Sequence, residues 1–170
     1  MPRPLHIGLL GFGNIGCGVV EGLSKHAEIL AQRGPRPLEL RRVTDIDLER
    51  SRHVRVDPQL LTTDSEAVVR DPDIDIIVEL IGGIEPARTF VETALREGKH
   101  VVTANKALLA AHGADLWALA GEQGVRLMFE AAVGGGIPVV RALCESLAGD
   151  HITRIQGILN GTCNYILTQM

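Results

Sequence analysis

The stretch that most limits what this chain can become is "LHIGLLGFGNIG", residues 5–16, an apolar run that ends directly in a G-x-G-x-x-G cluster. A short aliphatic run followed by glycines at this spacing reads as a buried strand, a tight turn and the opening of a helix. Each glycine has a separate task in such a turn. Gly11 permits the sharp reversal, Gly13 lets the backbone approach a pyrophosphate, and Gly16 lets the helix pack closely on the strand. The helix N-terminus that follows offers free N–H groups and a partial positive charge to phosphates. The alternative is a glycine turn needed for packing alone.

The rest of the chain keeps the same rhythm. Strands are predicted over 5–11, 38–47, 74–83, 99–105, 125–133 and 152–161, and helices over 14–34, 64–72, 86–98, 106–124 and 134–149. Asp64 reads as an N-cap, Pro86 as a first helical residue, and Gly34 and Gly98 as helix stops. Strands separated by helices imply right-handed βαβ crossovers and a mostly parallel, doubly wound α/β sheet of the Rossmann type. Aromatic residues make up only 3% of the chain, so the core must be built from Val, Ile, Leu and Ala, a palette that suits a sheet covered on both faces. The seam falls in the glycine cluster around Glu130 to Gly136. That gives a dinucleotide-binding domain over 1–130 and the beginning of a second, α+β substrate and dimerisation domain over 131–170.

A net charge of −4 argues against nucleic acid or an anionic membrane surface as a partner. No apolar run approaches the roughly 20 residues needed to span a bilayer, so a cytoplasmic location is the expectation. Cys17, Cys144 and Cys163 are odd in number and lack metal-ligand spacing, which excludes a disulfide framework or zinc site as the organising device.

Ligands of an open parallel sheet sit outside the carboxyl ends of its strands. After the second strand, Asp45 and Asp47 are candidates to receive the ribose hydroxyls of a dinucleotide. A carboxylate there faces away a 2′-phosphate and leans the choice towards NAD over NADP, while Arg41, Arg42, Arg50 and Arg52 nearby could reverse it. After the next strand come Gly82, Gly83 and Glu85, and after the one beyond it "TANKALL". Lys106 stands at a helix start, where the macrodipole disfavours a cation, so a role towards cofactor or substrate explains it better than helix propensity does. In "EAAVGGGIP" a carboxylate, Glu130, precedes glycines that can turn carbonyls inward; a hard-cation site and a tight strand-to-helix turn both remain open.

Together "GFGNIGCGVVEGL", "VVTANKALLA", "FEAAVGGGIPVVRAL" and "GILNGTCNYILTQM" resemble homoserine dehydrogenases, in the family's order and over essentially the whole chain. The resemblance implies NAD(P)-dependent interconversion of L-homoserine and L-aspartate 4-semialdehyde, in threonine, methionine and isoleucine biosynthesis, by a homodimer or higher homo-oligomer acting on a small molecule. It places the cofactor on Phe12, Gly13, Asn14 and Ile15, with Ile81 and Gly82 on the nicotinamide side and Lys106 between cofactor and substrate. It also implies a monovalent cation, sodium, held by Glu130 with the carbonyls of Val133, Gly135 and Ile137. Two departures stand out. Ile46 occupies the place where the family often carries an NADP-binding arginine, and the family's second catalytic lysine and most of its homoserine-binding acids are expected beyond Met170.

Two other readings compete. "NGTCN" sets Cys163 at a helix start, where a thiolate is favoured, as a phosphorylating semialdehyde dehydrogenase would require of its nucleophile. A dinucleotide-sensing module without chemistry would use the same glycine turn.

Overall fold

A computed structural model describes residues 3–157 and 161–170. The chain divides into two compact units, Met1–Met128 and Phe129–Met170.

The first unit is built from β1 (Leu5–Leu10), α1 (Asn14–Lys25), α2 (Ala27–Arg33), β2 (Leu38–Thr44), β3 (Leu61–Thr62), α3 (Ser65–Arg70), β4 (Ile76–Glu79), α4 (Ala87–Arg96), β5 (His100–Thr103), α5 (Lys106–Glu122) and β6 (Leu127–Met128). The six strands form one sheet in the order β3-β2-β1-β4-β5-β6. Every pairing is parallel, with Leu9 beside Val43 and Val78, and Val78 beside Val102. This is the doubly wound Rossmann arrangement expected from the alternation of apolar runs and helices. Leu9, Leu10, Val43, Ile77 and Val101 are fully buried in the sheet, and Val69, Val91, Leu95 and Leu108 are buried on the helices that cover it. A sheet buried on both faces has no use for alternation, which is why these strands read as continuous apolar runs.

The elements are shorter than their sequence patterns, for local reasons. The helix expected over 14–34 breaks at His26, whose φ of −113° and ψ of 18° leave the helical region. β2 ends at Thr44 because the Asp45 carboxylate accepts from the N–H of Asp47, at 3.0 Å, and turns the chain. β3, two residues long, has no counterpart among the expected strands. The helix after Asp64 starts as expected, with the Asp64 carboxylate accepting from the N–H of Ala67 at 2.9 Å.

From β6 onward the departures from expectation are larger. The strand predicted over 125–133 narrows to β6, and Glu130–Ala132 forms a 3-10 turn. The helix predicted over 134–149 reduces to α6 (Val139–Arg141) running on into a π-helical turn at Ala142–Ser146. Pro138 cannot donate a backbone bond, and Gly134 and Gly135 hold φ values of 72° and 63°, so the helix cannot begin earlier. No strand forms over 152–157, the described part of the run expected at 152–161. These residues are exposed and find no neighbouring strand among the described residues, and a lone strand is not stable in water. A last helix, α7, spans Gly161–Gln169. No helix among the described residues is long and apolar enough to cross a membrane.

Candidate functional site

The strand order reverses between β1 and β4, and the crevice outside their carboxyl ends is where such sheets bind ligands. One wall is the glycine turn. Gly11 has a φ of +95°, and a Cβ there would stand 2.7 Å from the carbonyl of Leu80, so both conformation and space demand glycine. A Cβ on Gly16 would collide with the carbonyl oxygen of Gly11, which brings the first turn of α1 down onto the strand end. Gly13 differs from both, since nothing lies within 4 Å of where its Cβ would be. It is also the N-cap of α1 and supplies no side-chain bond to the helix. No side chain caps the start of α1, and Asn14 and Ile15 in its first turn are exposed. That is the cradle a pyrophosphate requires, and these residues fit a dinucleotide.

Phe12 and Asp45 are engaged differently from what their motif positions suggest. The Phe12 ring is buried and its N–H donates to the Asp45 carboxylate at 2.7 Å. The other oxygen of Asp45 accepts from Asp47, so this carboxylate braces the glycine turn against the end of β2. Arg52 completes the brace. Its guanidinium lies 4.6 Å over the Phe12 ring and 3.5 Å from the Asp45 carboxylate. It donates to the carbonyls of Phe12 (2.7 Å), Asp47 (2.6 Å) and Arg50 (2.8 Å). By sequence Arg52 is one of several cations near the ribose; in the structure it is the tie between two loops.

The other wall comes from β4 and β5. Ile81 is partly exposed, and Gly82 and Gly83 have φ of +81° and +72°. Asn105 caps α5 by accepting from the N–H of Leu108 at 3.1 Å, which sets Lys106 as the first helical residue, exposed at the strand ends. Beneath both lies a carboxylate that the sequence reading passed over, Glu79, fully buried at the end of β4. It accepts from the N–H of Ile81 at 2.8 Å and from the hydroxyl of Thr103 at 2.6 Å. The sequence carries a signal for it: of the two acids in "IDIIVELIGG", Asp75 stands near the start of the run, whereas Glu79 falls within it and must be partnered if the strand is buried.

The opposite ends of the strands carry a cleft of about 390 Å³ lined by Arg36, Arg70, Lys99 and His100. Most of its cations are spent within the fold. Arg70 pairs with Glu66 and Glu97, Arg36 donates to the carbonyls of Arg3 and Pro4, and Lys99 donates to those of Asp71 and Ile74. The crevice over β1 and β4 is the better site.

In the second unit both oxygens of Glu130 accept from backbone, Val140 N–H at 3.0 Å and Arg141 N–H at 2.8 Å, so this side chain caps α6. The carbonyls of Glu130 and Ile137 accept from Val133 and Val139, whereas those of Val133 and Gly135 receive no backbone N–H among the described residues. No group of three His, Cys, Asp or Glu that could hold a metal occurs among the described residues. The Cys163 side chain lies outside the described residues.

The sequence model for the NAD binding domain of homoserine dehydrogenase matches residues 11–130. The chain belongs to the homoserine dehydrogenase family. A second model of that family matches residues 138–170. The homoserine dehydrogenase of Bacillus subtilis is 45% identical over 168 residues, which make up 99% of this chain and 39% of that relative. The crystal structure of a homoserine dehydrogenase from Thiobacillus denitrificans superposes with a TM-score of 0.87 at 45% identity, over 99% of this chain and 39% of its own. A hyperthermophilic archaeal homoserine dehydrogenase in complex with NADPH superposes with a TM-score of 0.76 at 26% identity, over 98% of this chain and 56% of its own. The chain thus spans 39% of the length of that curated relative.

Proposed function

We propose that the chain is the dinucleotide-binding part of a homoserine dehydrogenase, interconverting L-homoserine and L-aspartate 4-semialdehyde. The observation that carries this is the open face of Gly13 at the uncapped start of α1, set across the crevice ends of β1 and β4 in a chain of this family. A bound nicotinamide dinucleotide would supply the hydride acceptor and donor. Gly13 gives its backbone room to meet the pyrophosphate, with the N–H groups of Asn14, Ile15 and Gly16 directed to it. Gly11 sets the turn, and Phe12 takes part through the fold of that turn, its ring being buried. Ile81 and Gly82 would line the nicotinamide side. Lys106 would hold the substrate and stabilise negative charge developing on its oxygen.

Asp45 would still lean the ribose site towards NAD, but Arg52 at 3.5 Å offsets much of its charge. We therefore expect NADH and NADPH to bind with dissociation constants within about tenfold of each other, roughly 1.4 kcal/mol. The reading also assigns a sodium ion to the carbonyls of Val133 and Gly135 together with those of Glu130 and Ile137, with the Glu130 carboxylate left to the helix. A homodimer or larger homo-oligomer in the cytoplasm and a domain seam near residue 130 complete it.

The test is kinetic. Protein containing this chain should reduce NAD(P) with L-homoserine, and Lys106→Ala should lower kcat/KM by about 100-fold, the usual cost of losing one oxyanion partner. Phosphate-dependent oxidation of the semialdehyde would instead support the Cys163 reading. Dinucleotide binding without turnover, indifferent to Lys106→Ala, would support a sensor.

A further inference from the structure

Glu79 is 0% exposed, and an ionised carboxylate is among the most costly groups to bury. A leucine or valine would continue the apolar run "IDIIVE" without that cost. What the carboxylate supplies is acceptor capacity without a donor. Its Oε1 receives the N–H of Ile81 at 2.8 Å, the N–H of Gly82 at 3.3 Å and, at the long limit of 3.4 Å, the amide of Asn105. Its Oε2 receives the Thr103 hydroxyl at 2.6 Å. Three of these donors converge on Oε1 and one reaches Oε2, and with no exposed surface the carboxylate is turned to the two walls rather than to a substrate.

The donors come from both walls of the crevice. Ile81 and Gly82 belong to the turn after β4, while Thr103 and Asn105 close β5 and open α5. The same Asn105 amide donates to the carbonyl of Gly83 at 2.7 Å, and the Thr103 hydroxyl oxygen accepts from the Asn105 N–H at 3.0 Å. β4 and β5 are in register at this level, Glu79 beside Thr103, so strand pairing and side-chain network fix the same spacing. Lys106 follows directly.

We propose that Glu79 is the positioning residue of the crevice: it holds the 81–83 turn against the start of α5 and thereby forms the seat for the nicotinamide end of the cofactor. This rests on the dinucleotide reading given above. The carboxylate touches neither cofactor nor substrate; it acts through Ile81, Gly82 and Asn105.

Glu79→Gln keeps the volume but not the acceptors. If the new amide turns its oxygen to Thr103, its NH2 group confronts the Ile81 and Gly82 N–H groups, and one set of donors is orphaned. Thr103→Val disturbs the same network from the neighbouring strand and keeps the reading testable should the first variant fold poorly. Binding of NADH and of ADP-ribose, which lacks the nicotinamide, is to be measured for the 170-residue chain and both variants, with amide exchange at Ile81 and Gly82. The expected result is that NADH weakens about tenfold relative to ADP-ribose in both variants. Exchange at the two amides should quicken in Glu79→Gln while that at Leu9 and Val101 does not. A proportional loss of both ligands, or no loss with unchanged exchange, would overturn the proposal. Should the parent chain bind neither ligand, the dinucleotide reading is what fails. The exchange at Ile81 and Gly82 then still decides whether Glu79 holds the turn.

Discussion

At the scale of single residues, three glycines in one motif answer to three different constraints, and substitution should separate them. Gly16→Ala puts a methyl group into the carbonyl oxygen of Gly11, backbone against backbone, with no flexible side chain to yield. Overpacking of this kind costs about 1–3 kcal/mol, and the variant should show it as a lowered urea midpoint. Gly13→Ala meets nothing within 4 Å, and its φ of −78° suits alanine. Its stability should stay within about 0.5 kcal/mol of the parent. Yet its dinucleotide affinity should fall by about tenfold, because the methyl group occupies the space left for the pyrophosphate. Equal effects of the two substitutions on stability would contradict this division. The same contrast explains what the motif could and could not tell. Spacing alone named all three glycines, but only coordinates show that the Phe12 N–H and the Asp45 carboxylate are already spent on each other. The ribose role read for Asp45 gives no hint of that bond, since a contact between residues 12 and 45 has no trace in local sequence.

At the scale of elements, legibility followed the source of each element's stability. β1, β4 and β5 are buried runs and α3 and α5 carry side-chain caps at Asp64 and Asn105, so local pattern and tertiary outcome agree. β3 takes its existence from pairing Val43 and Thr44 with Leu61 and Thr62, information that lies in β2 and not in the two residues themselves. Over 152–157, the described part of the strand expected at 152–161, the converse holds: apolar residues are present but no partner strand is found among the described residues. The joint between α4 and β5 provides a test at this scale. Lys99 is 4% exposed, and its ammonium donates to the carbonyls of Asp71 and Ile74, at 2.5 and 3.0 Å, fastening β5 to the loop before β4. Burial pulls its pKa below the ordinary 10.5, against a smaller opposing pull from Asp71, Glu97 and Asp75. Below the lowered value both folded and unfolded chains hold the proton, and the cost of the buried charge is fully present. Between that value and 10.5 the unfolded chain binds the proton more tightly, so folding stability gains as pH rises through this window. The neutral amine still has two N–H groups for its two carbonyls. Urea unfolding at a series of pH values should therefore show the parent gaining on Lys99→Met as pH climbs towards 10.5. A difference that stays flat or shrinks over that range would refute the assignment.

At the scale of the whole molecule, the first unit holds a core of its own. Among the described residues, every buried apolar side chain except Ala132 lies between Ile7 and Leu127, and the six strands belong to the first unit. The crevice residues, from Gly11 to Lys106, lie in it too. Its edge at β6 is only two residues long, which leaves little unpaired backbone to recruit another strand. A core of this kind should fold without the second unit. Protein cut after Met128 is therefore expected to unfold in a single cooperative transition. It should also bind NADH with a dissociation constant within about threefold of the 170-residue chain, a change of roughly 0.7 kcal/mol or less. Binding that vanishes while the cooperative transition persists would mean that residues beyond Met128 complete the cofactor site, and the division of labour drawn between the units would have to move with it.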